Sequence, residues 1–479
     1  MGTRDGAIAR AIWFFDDGGF KNLLARLVAI PSSSQEEGRE ADLYAYLAEI
    51  GAWVERLGFT VAIHPNPVDG CGPILLATRV EEAALQTVIT YGHGDTVRGL
   101  AEQWSAGLDP WVLTERGGRW YGRGSADNKG QHAINLAALE AVLAERGDRL
   151  GFSVVLLIET GEERGSPGLR EFVQAHRDRL RADVLIASDG PRVASAMPTL
   201  STGTRGSFHF DLAVRLRPGG VHSGNWGGMI RDPAIRLAHA LASLCDRDGR
   251  ILVRDWVPAS IPPAVRAALE GCEMVAEGEA ATIDEDWGEP GLTPAERVYA
   301  WTSFIVLAMV SGRPENPVNA VAPDARAHCQ IRFTVECDPT AFVPALRRHL
   351  DAAGFPDAAI ENAGVRMAAS RTSPDAPWVR RVAASLGRTL GRPVQLIPNS
   401  GGGLPGDVFV DLLGVPLCWV PHSYNGCQQH GLDEHLLPAV AREGLLAFAG
   451  LWWDLGEAWD ESGAAMVGAT GIEPVTLRV

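Results

Sequence analysis

The chain has 479 residues, of which 46% are hydrophobic and 21% charged, so it is a folded globular protein with room for two domains rather than a disordered chain. Its 59 Asp and Glu residues outnumber its 43 Lys and Arg residues, which gives a formal net charge of −16. Nucleic acids and anionic membranes attract positive charge, so this balance argues against either as a partner.

The seven cysteines are scattered, odd in number and never spaced as C-x-x-C. This spacing fits neither a disulfide framework nor a thiolate zinc site, and it suits a reducing compartment. Charged residues interrupt the first 30 positions, so no signal-peptide core is expected, and apolar runs such as 153–158 are only as long as a strand. The sequence therefore predicts a cytoplasmic location.

About the first two hundred residues alternate between helical and strand patterns. The pattern predicts helices at 20–29, 40–57, 131–146 and 169–180, and strands at 60–64, 74–78, 88–91, 154–159 and 184–188. Alternation around fully apolar strands indicates an α/β fold with a buried, mostly parallel sheet. In such sheets ligands bind beyond the carboxyl ends of the strands.

The pattern changes near residue 203. Strands that alternate apolar and polar residues are predicted at 207–217 and 327–335, and helices at 231–244 and 342–353. They indicate a smaller α+β domain of ferredoxin-like type. The stretch 250–318 is rich in Pro, Trp and acids and has weak periodicity, so it is interpreted as an elaboration of that domain.

From about residue 365 the α/β pattern returns. A helix is predicted at 376–390, strands at 394–398 and 416–420, and a last helix at 436–453. We therefore predict a discontinuous α/β domain at 1–203 and 365–479, with the α+β domain inserted at 204–364. The last dozen or so residues are expected to fray.

His93 and Asp95 follow a predicted strand in the segment Tyr-Gly-His-Gly-Asp. Two residues apart at a strand end, their side chains lie on the same face. His93 could bind a metal ion through one ring nitrogen while Asp95 fixes its tautomer. The alternative is a glycine-rich turn with a hydrogen-bonded histidine.

Asp127 lies in Gly-Arg-Gly-Ser-Ala-Asp-Asn-Lys-Gly, directly before a predicted helix. The flanking glycines suggest a backbone shaped to bring this carboxylate to one place, where it could bridge two cations. The alternative is an N-cap for the following helix, and both roles could hold.

Glu162 and Glu163 follow an apolar strand and precede Gly-Ser-Pro-Gly. Side by side next to a cation, one acid could ligate and the other accept a proton from water. The alternative is a solvated acidic pair. Asp189 also follows a strand and could be a further ligand, although Asp-Gly is a frequent turn.

Three later segments are candidates with ordinary alternatives. His430 could ligate a metal ion or cap the last helix, and His222 could be catalytic or an exposed loop histidine. The run from Ser400 to Gly403 offers backbone N–H groups to an anion, or it is a flexible loop.

Together these motifs resemble the di-zinc metallopeptidase family of aminoacylase, acetylornithine deacetylase, succinyl-diaminopimelate desuccinylase, carboxypeptidase G and the carnosinase-type dipeptidases. The resemblance covers about residues 20 to 450. It is strongest for the dipeptidase branch, through Asp109-Pro-Trp, the 121–130 segment and the 159–169 segment.

The resemblance implies two Zn²⁺ ions per subunit, with Co²⁺ or Mn²⁺ as alternatives. Asp127 would bridge them, His93 and Asp189 would complete one site, and Glu163 and His430 would complete the other. It implies the following further roles: Glu162 as general base, Asp95 as the residue that orients His93, His222 as oxyanion donor, and Asn319, Arg332, Ser400, Gly402 and Gly403 as the residues that hold the substrate carboxylate. It also implies that the inserted domain is a lid that forms a homodimer.

The sequence therefore predicts hydrolysis of an amide or peptide bond next to a free carboxylate, by a dipeptidase or carboxypeptidase-like metallopeptidase acting on a small peptide. An N-acyl-amino-acid deacylase is the alternative within this class. A non-catalytic metal- or peptide-binding module is the alternative from another class, and it would be favoured if Glu162 or a ligand were missing, but none is.

Overall fold

The computed structural model describes residues 2–82, 84–277 and 282–458, and the predicted fraying of the last dozen residues lies outside them. The helices are α1 (Arg4–Asp16), α2 (Gly19–Val28), α3 (Glu40–Arg56), α4 (Lys129–Arg146), α5 (Leu169–Ala175), α6 (Ser223–Trp226), α7 (Pro233–Leu244), α8 (Pro263–Ala268), α9 (Pro294–Tyr299), α10 (Phe342–Ala352), α11 (Pro377–Leu390), α12 (Gly406–Leu413) and α13 (Pro438–Leu455). Within these described ranges, no helix is both long and apolar enough to cross a membrane.

The strands fall into one large sheet, one small sheet and short pairs. They are β1 (Thr60–His64), β2 (Ile74–Arg79), β3 (Thr87–His93), β4 (Thr114–Arg116), β5 (Arg119–Tyr121), β6 (Ser153–Glu159), β7 (Val184–Ala187), β8 (Pro191–Arg192), β9 (Thr199–Ser201), β10 (Gly203–Thr204), β11 (Gly206–Arg215), β12 (Val221–His222), β13 (Ser303–Ser311), β14 (Ala320–Val321), β15 (Asp324–Phe333), β16 (Ala358–Met367), β17 (Ser370–Arg371), β18 (Gln395–Ile397), β19 (Leu417–Trp419), β20 (Ser423–Tyr424) and β21 (His435–Leu436).

The large sheet has eight strands in the order β1-β2-β6-β3-β7-β19-β9-β18. Its centre, from β6 to β19, is parallel, whereas β1 and β2 run antiparallel at one edge. Alternate residues of β2 enter two separate cores, with Leu75 and Ala77 on one face and Ile74 and Leu76 on the other. Parallel sheets are covered on both faces, as this one is by its two cores. The predicted α/β fold is therefore confirmed.

The small sheet is antiparallel, in the order β13-β15-β11-β16. Helices α7 and α10 cover one face, where Phe210, Leu237 and Leu346 pack in a separate core. The chain enters this part through β10 and leaves through β17, and these two short strands pair with each other. The predicted α+β insertion is therefore present, and its last strand, β16, extends past the predicted end at residue 364.

Several predicted elements differ from the structure. The predicted helix at 169–180 ends at Ala175, and α1 was not predicted because its apolar and charged residues do not segregate to opposite faces. Strand β13 lies in the stretch interpreted as an irregular elaboration. Its central residues are apolar yet exposed, so the alternation that marks a half-buried strand is absent.

Candidate metal centre

His93 is the last residue of β3 and is fully buried, with Asp95 beside its ring. His93 Nδ1 lies 3.0 Å from the Asp95 carbonyl oxygen and 3.4 Å from its Oδ1. The Asp95 carboxylate accepts hydrogen bonds from Ser34 Oγ at 2.6 Å and from the backbone N–H groups of Glu162 at 3.2 Å and Glu163 at 3.1 Å. Asp95 thus holds the Nδ1 edge of His93, which leaves Nε2 available to a metal ion, and it also fixes the turn that carries the two glutamates.

One ligand group consists of His93, Asp127 and Asp189. His93 Nε2 lies 3.1 Å from Asp127 Oδ1 and 3.6 Å from Asp189 Oδ2. Asp189 Oδ2 is buried and has no hydrogen-bond partner among the described residues. A buried carboxylate oxygen without a donor is costly, so this atom fits the role of a cation ligand.

The second group consists of Asp127, Glu163 and His430. His430 Nε2 lies 3.1 Å from Asp127 Oδ2 and 3.0 Å from Glu163 Oε2. The backbone of His430 is in the left-handed region with φ of 60°, as are those of Gln428 and Asp433, and such backbone gathers at functional sites. His430 does not cap the last helix, which begins only at Pro438, so that alternative is wrong.

The two groups share Asp127, which presents one oxygen to each of them. Zinc bonds of about 2.0–2.2 Å in tetrahedral geometry separate neighbouring ligand atoms by about 3.3–3.6 Å, close to the distances found here. The N-cap position of α4 is Asn128, not Asp127, so the capping alternative for Asp127 is wrong. The residues fit a pair of divalent cations bridged by one carboxylate.

The acidic side chains of this centre lie close together and are shielded from water. Burial, together with the charge of Asp127, raises the pKa of both Glu163 and Asp189 to about 7. Hydrogen bonds to Asp127 and Glu163 raise the pKa of His430 to about 11. Such crowding is unfavourable unless positive charge offsets it, as bound cations would.

Glu162 belongs to neither ligand group, although its Oε2 lies only 3.9 Å from His93 Nε2. Burial raises its pKa well above the ordinary value. It is therefore a carboxylate at the edge of the centre whose oxygens are not committed to a ligand group. The predicted division of roles between Glu162 and Glu163 stays a prediction.

Glu434 organises the loop that carries the shared aspartate, and the sequence analysis did not assign it a role. Its carboxylate accepts hydrogen bonds from Arg123 Nη1 at 2.8 Å and from the backbone N–H groups of Gly124 at 3.1 Å, Ala126 at 2.9 Å and Asp127 at 3.0 Å. Both members of the Arg123–Glu434 pair are almost fully buried. The glycines before Asp127 thus let the backbone wrap around this acid.

Replacing Glu434 by glutamine should weaken metal binding by roughly 10- to 100-fold, because an amide group cannot accept all four bonds. Chelator competition would measure the affinity. Asp433→Asn is the control, since the neighbouring carboxylate binds Ser105 instead. Unchanged metal affinity in Glu434→Gln would contradict this positioning role.

Asn128 is a second residue without an assigned role. Its Oδ1 lies 2.8 Å from His132 Nδ1 and 3.4 Å from the backbone nitrogen of His93, while its Nδ2 donates to the Ser188 carbonyl at 2.8 Å. His132 in turn contacts the Tyr46 hydroxyl at 2.6 Å. The side chain therefore connects the segments that carry all three residues of the first ligand group.

The predicted substrate residues are divided between two places. Ser400 lies beside Gly190, the neighbour of Asp189, and its backbone N–H donates to the Gly203 carbonyl at 2.7 Å. Gly403 packs against Met367, where a side chain would collide. Arg332 lies on β15 and donates to Gln330 Oε1 at 3.2 Å.

His222 and Asn319 lie together on the inserted part, both exposed, at the β12–β14 pair. The Asn319 carbonyl accepts a hydrogen bond from the Ser223 backbone at 3.0 Å. Among the described residues, neither side chain forms a hydrogen bond or an ion pair with a member of the two ligand groups. The structure therefore does not place His222 or Asn319 at the metal centre of their own chain.

Ligand groups that share a carboxylate, with an uncommitted acid beside them, define the chain as a metal-dependent hydrolase. Residues 89–454 match the model of Peptidase family M20/M25/M40, and the chain belongs to this family. It is a metal-dependent peptidase. The resemblance found in the sequence is confirmed.

The similar proteins include dipeptidases. The chain is 31% identical over 371 residues to the Cysteinylglycine-S-conjugate dipeptidase of Corynebacterium striatum, covering 74% of this chain and 78% of the relative. It is 34% identical over 247 residues to the human Beta-Ala-His dipeptidase, covering 49% and 48%. The fold matches that of human carnosine dipeptidase 1 with a TM-score of 0.76 and 22% identity, over 94% of this chain and 98% of that one.

Proposed function

We propose that this peptidase hydrolyses dipeptides that carry a free carboxylate, using two zinc ions held by His93, Asp127, Glu163, Asp189 and His430. The observation that carries the proposal is the position of Asp127, whose two oxygens each lie 3.1 Å from a histidine of a different group. The dipeptidase relatives support a small peptide as the substrate.

When bound, the two cations would lower the pKa of a water molecule and polarise the scissile carbonyl. Glu162 would accept a proton from the attacking water and pass it to the leaving amine, because it is the carboxylate beside the centre that belongs to neither ligand group. Asp95 keeps Glu162 and Glu163 in place through their backbone N–H groups. Arg332 and the 400–403 loop hold the substrate carboxylate.

A substrate panel tests this function. Metal-loaded protein is incubated with mixed dipeptides and with N-acyl amino acids, and amine release is followed. Hydrolysis of dipeptides with a free carboxylate is expected. Release from N-acyl amino acids alone would contradict the proposal and favour the deacylase alternative.

We also propose that the inserted part, 204–364, is a lid through which two chains form a homodimer, so that each His222 completes the site of the other. Three observations support it: His222 is exposed and, among the described residues, forms no hydrogen bond or ion pair with either ligand group; β13 is an edge strand; and β13 exposes apolar side chains, with Ile305 at 41%, Leu307 at 52% and Met309 at 46%. An edge strand with such side chains pairs readily with a second copy. The cytoplasmic location stays a prediction.

Mixing a His222→Ala variant with a Glu162→Gln variant should restore part of the activity that each lacks alone. One site of a mixed dimer would then contain both wild-type groups, as a shared site requires. Turnover is measured under conditions of proven subunit exchange, with each variant alone as the control. A monomer by light scattering, or no recovery, would contradict the shared site.

A further inference from the structure

Three arginines and a histidine meet where the small sheet joins the glycine loop at 400–403, and we call this cluster the cationic corner: Arg205, Arg332, Arg366 and His209. Arg205 is only 7% exposed. Its Nε and Nη2 donate to the Gly401 carbonyl at 3.2 and 3.1 Å, and its Nη1 donates to Ser303 Oγ at 3.1 Å. Ser303 is paired with Arg332 across the sheet, and burial together with the positive charge of Arg332 lowers the pKa of Arg205, so the two arginines are neighbours.

The other members are connected through a row of polar side chains. Arg332 Nε donates to Gln330 Oε1 at 3.2 Å, and the Gln330 amide lies 2.8 Å from His209 Nε2. Burial and the positive charges of Arg366 and Arg332 lower the pKa of His209. Arg366 is exposed at the end of β16, so it extends the cluster toward solvent.

The cationic corner flanks the metal centre. The Arg205 backbone N–H donates to the Ser400 carbonyl at 3.2 Å, and the Ser400 hydroxyl lies beside Gly190, next to the ligand Asp189. On the other side, the Arg366 carbonyl faces Gly165, in the turn that carries the two glutamates. The far end of a substrate bound at the metal centre can therefore reach the cationic corner.

The corner has positive charge without a matching acid. Within the described ranges, no Asp or Glu forms an ion pair with Arg205, Arg332 or Arg366, whereas Arg215 and Arg371 near by pair with glutamates. A buried guanidinium with only neutral acceptors is unfavourable, so an anionic ligand is expected to supply the missing charge. One peptide carboxylate offsets one of these three charges.

We propose that the cationic corner binds two carboxylates of the same residue, so that the preferred substrate is a dipeptide whose C-terminal residue is glutamate or aspartate. The inference rests on the proposed function, since it assumes that the peptide lies between the metal centre and the corner. Arg332 receives the C-terminal carboxylate. Arg366 faces the acidic side chain, His209 lies beside it as an uncharged hydrogen-bonding group, and Arg205 fixes the glycine loop and adds its charge.

Binding of Ala-Glu and of its neutral isostere Ala-Gln tests the inference. Both are titrated by calorimetry into zinc-loaded Glu162→Gln protein, whose metal content is first confirmed by elemental analysis. The Kd for Ala-Glu should be lower by roughly tenfold or more, as expected of a charge-assisted hydrogen bond. Adding Arg366→Gln should bring the ratio toward one, and adding Arg326→Gln, an exposed arginine farther along β15, should leave it unchanged.

Equal or weaker binding of Ala-Glu, no binding of either dipeptide, or a full preference in the Arg366→Gln background would overturn the inference. The titration measures binding without turnover, so it separates this inference from the proposed function. If only the proposed function is wrong, wild-type protein hydrolyses neither dipeptide although the difference in Kd persists.

Discussion

Glu162→Gln protein should bind two metal ions per chain and yet lose roughly 10²- to 10⁴-fold in kcat. The amide has nearly the shape of the carboxylate but cannot take a proton from water. Because Glu162 lies outside both ligand groups, its replacement removes no ligand atom. Elemental analysis and steady-state kinetics measure the two properties independently.

Glu163→Gln is the matched control, since it makes the same change one residue along the chain. Glu163 Oε2 lies 3.0 Å from His430 Nε2, within the second ligand group. This variant should therefore lose metal as well as activity. Near-normal turnover in Glu162→Gln, or equal metal loss in both variants, would remove Glu162 from the role of general base.

Asp127→Ala should lose metal and activity together, with less than one firmly bound ion per chain. The change removes one ligand atom from each group at once, and it leaves His93 and His430 without the acid between them. Metal content after dialysis and amine release are the measurements. Asp178→Ala, at an acid whose side chain is 88% exposed, is the control and should retain both ions. A fully metallated, active Asp127→Ala protein would refute the bridging role.

The grouping of the candidate ligands could be predicted from the sequence because parallel strands end at the same edge of a sheet. His93 ends one such strand and Asp189 comes shortly after another, so the pattern alone indicates that their side chains meet. Glu434 and Asn128 could not be found in this way. Their importance lies in hydrogen bonds to backbone groups that are distant in the chain, and residue type gives no sign of these bonds.

The small sheet was predicted only in part, for physical reasons. Strands β11 and β15 alternate apolar and polar residues along the sequence, whereas β13 exposes apolar residues throughout its centre, so the pattern of β13 resembles neither a half-buried strand nor a helix. Arg205 lies in Gly-Thr-Arg-Gly, an ordinary turn sequence, and only its burial beside Arg332 marks it as unusual. Such signals depend on tertiary contacts.

Stepwise return of zinc to chelator-treated protein, with dipeptide hydrolysis followed at each step, tests the dinuclear account most directly. Two ligand groups that share Asp127 predict that the metal-free chain is inactive and that activity rises until two ions are bound per chain. Full activity without metal, or a plateau with only one bound ion, would contradict it.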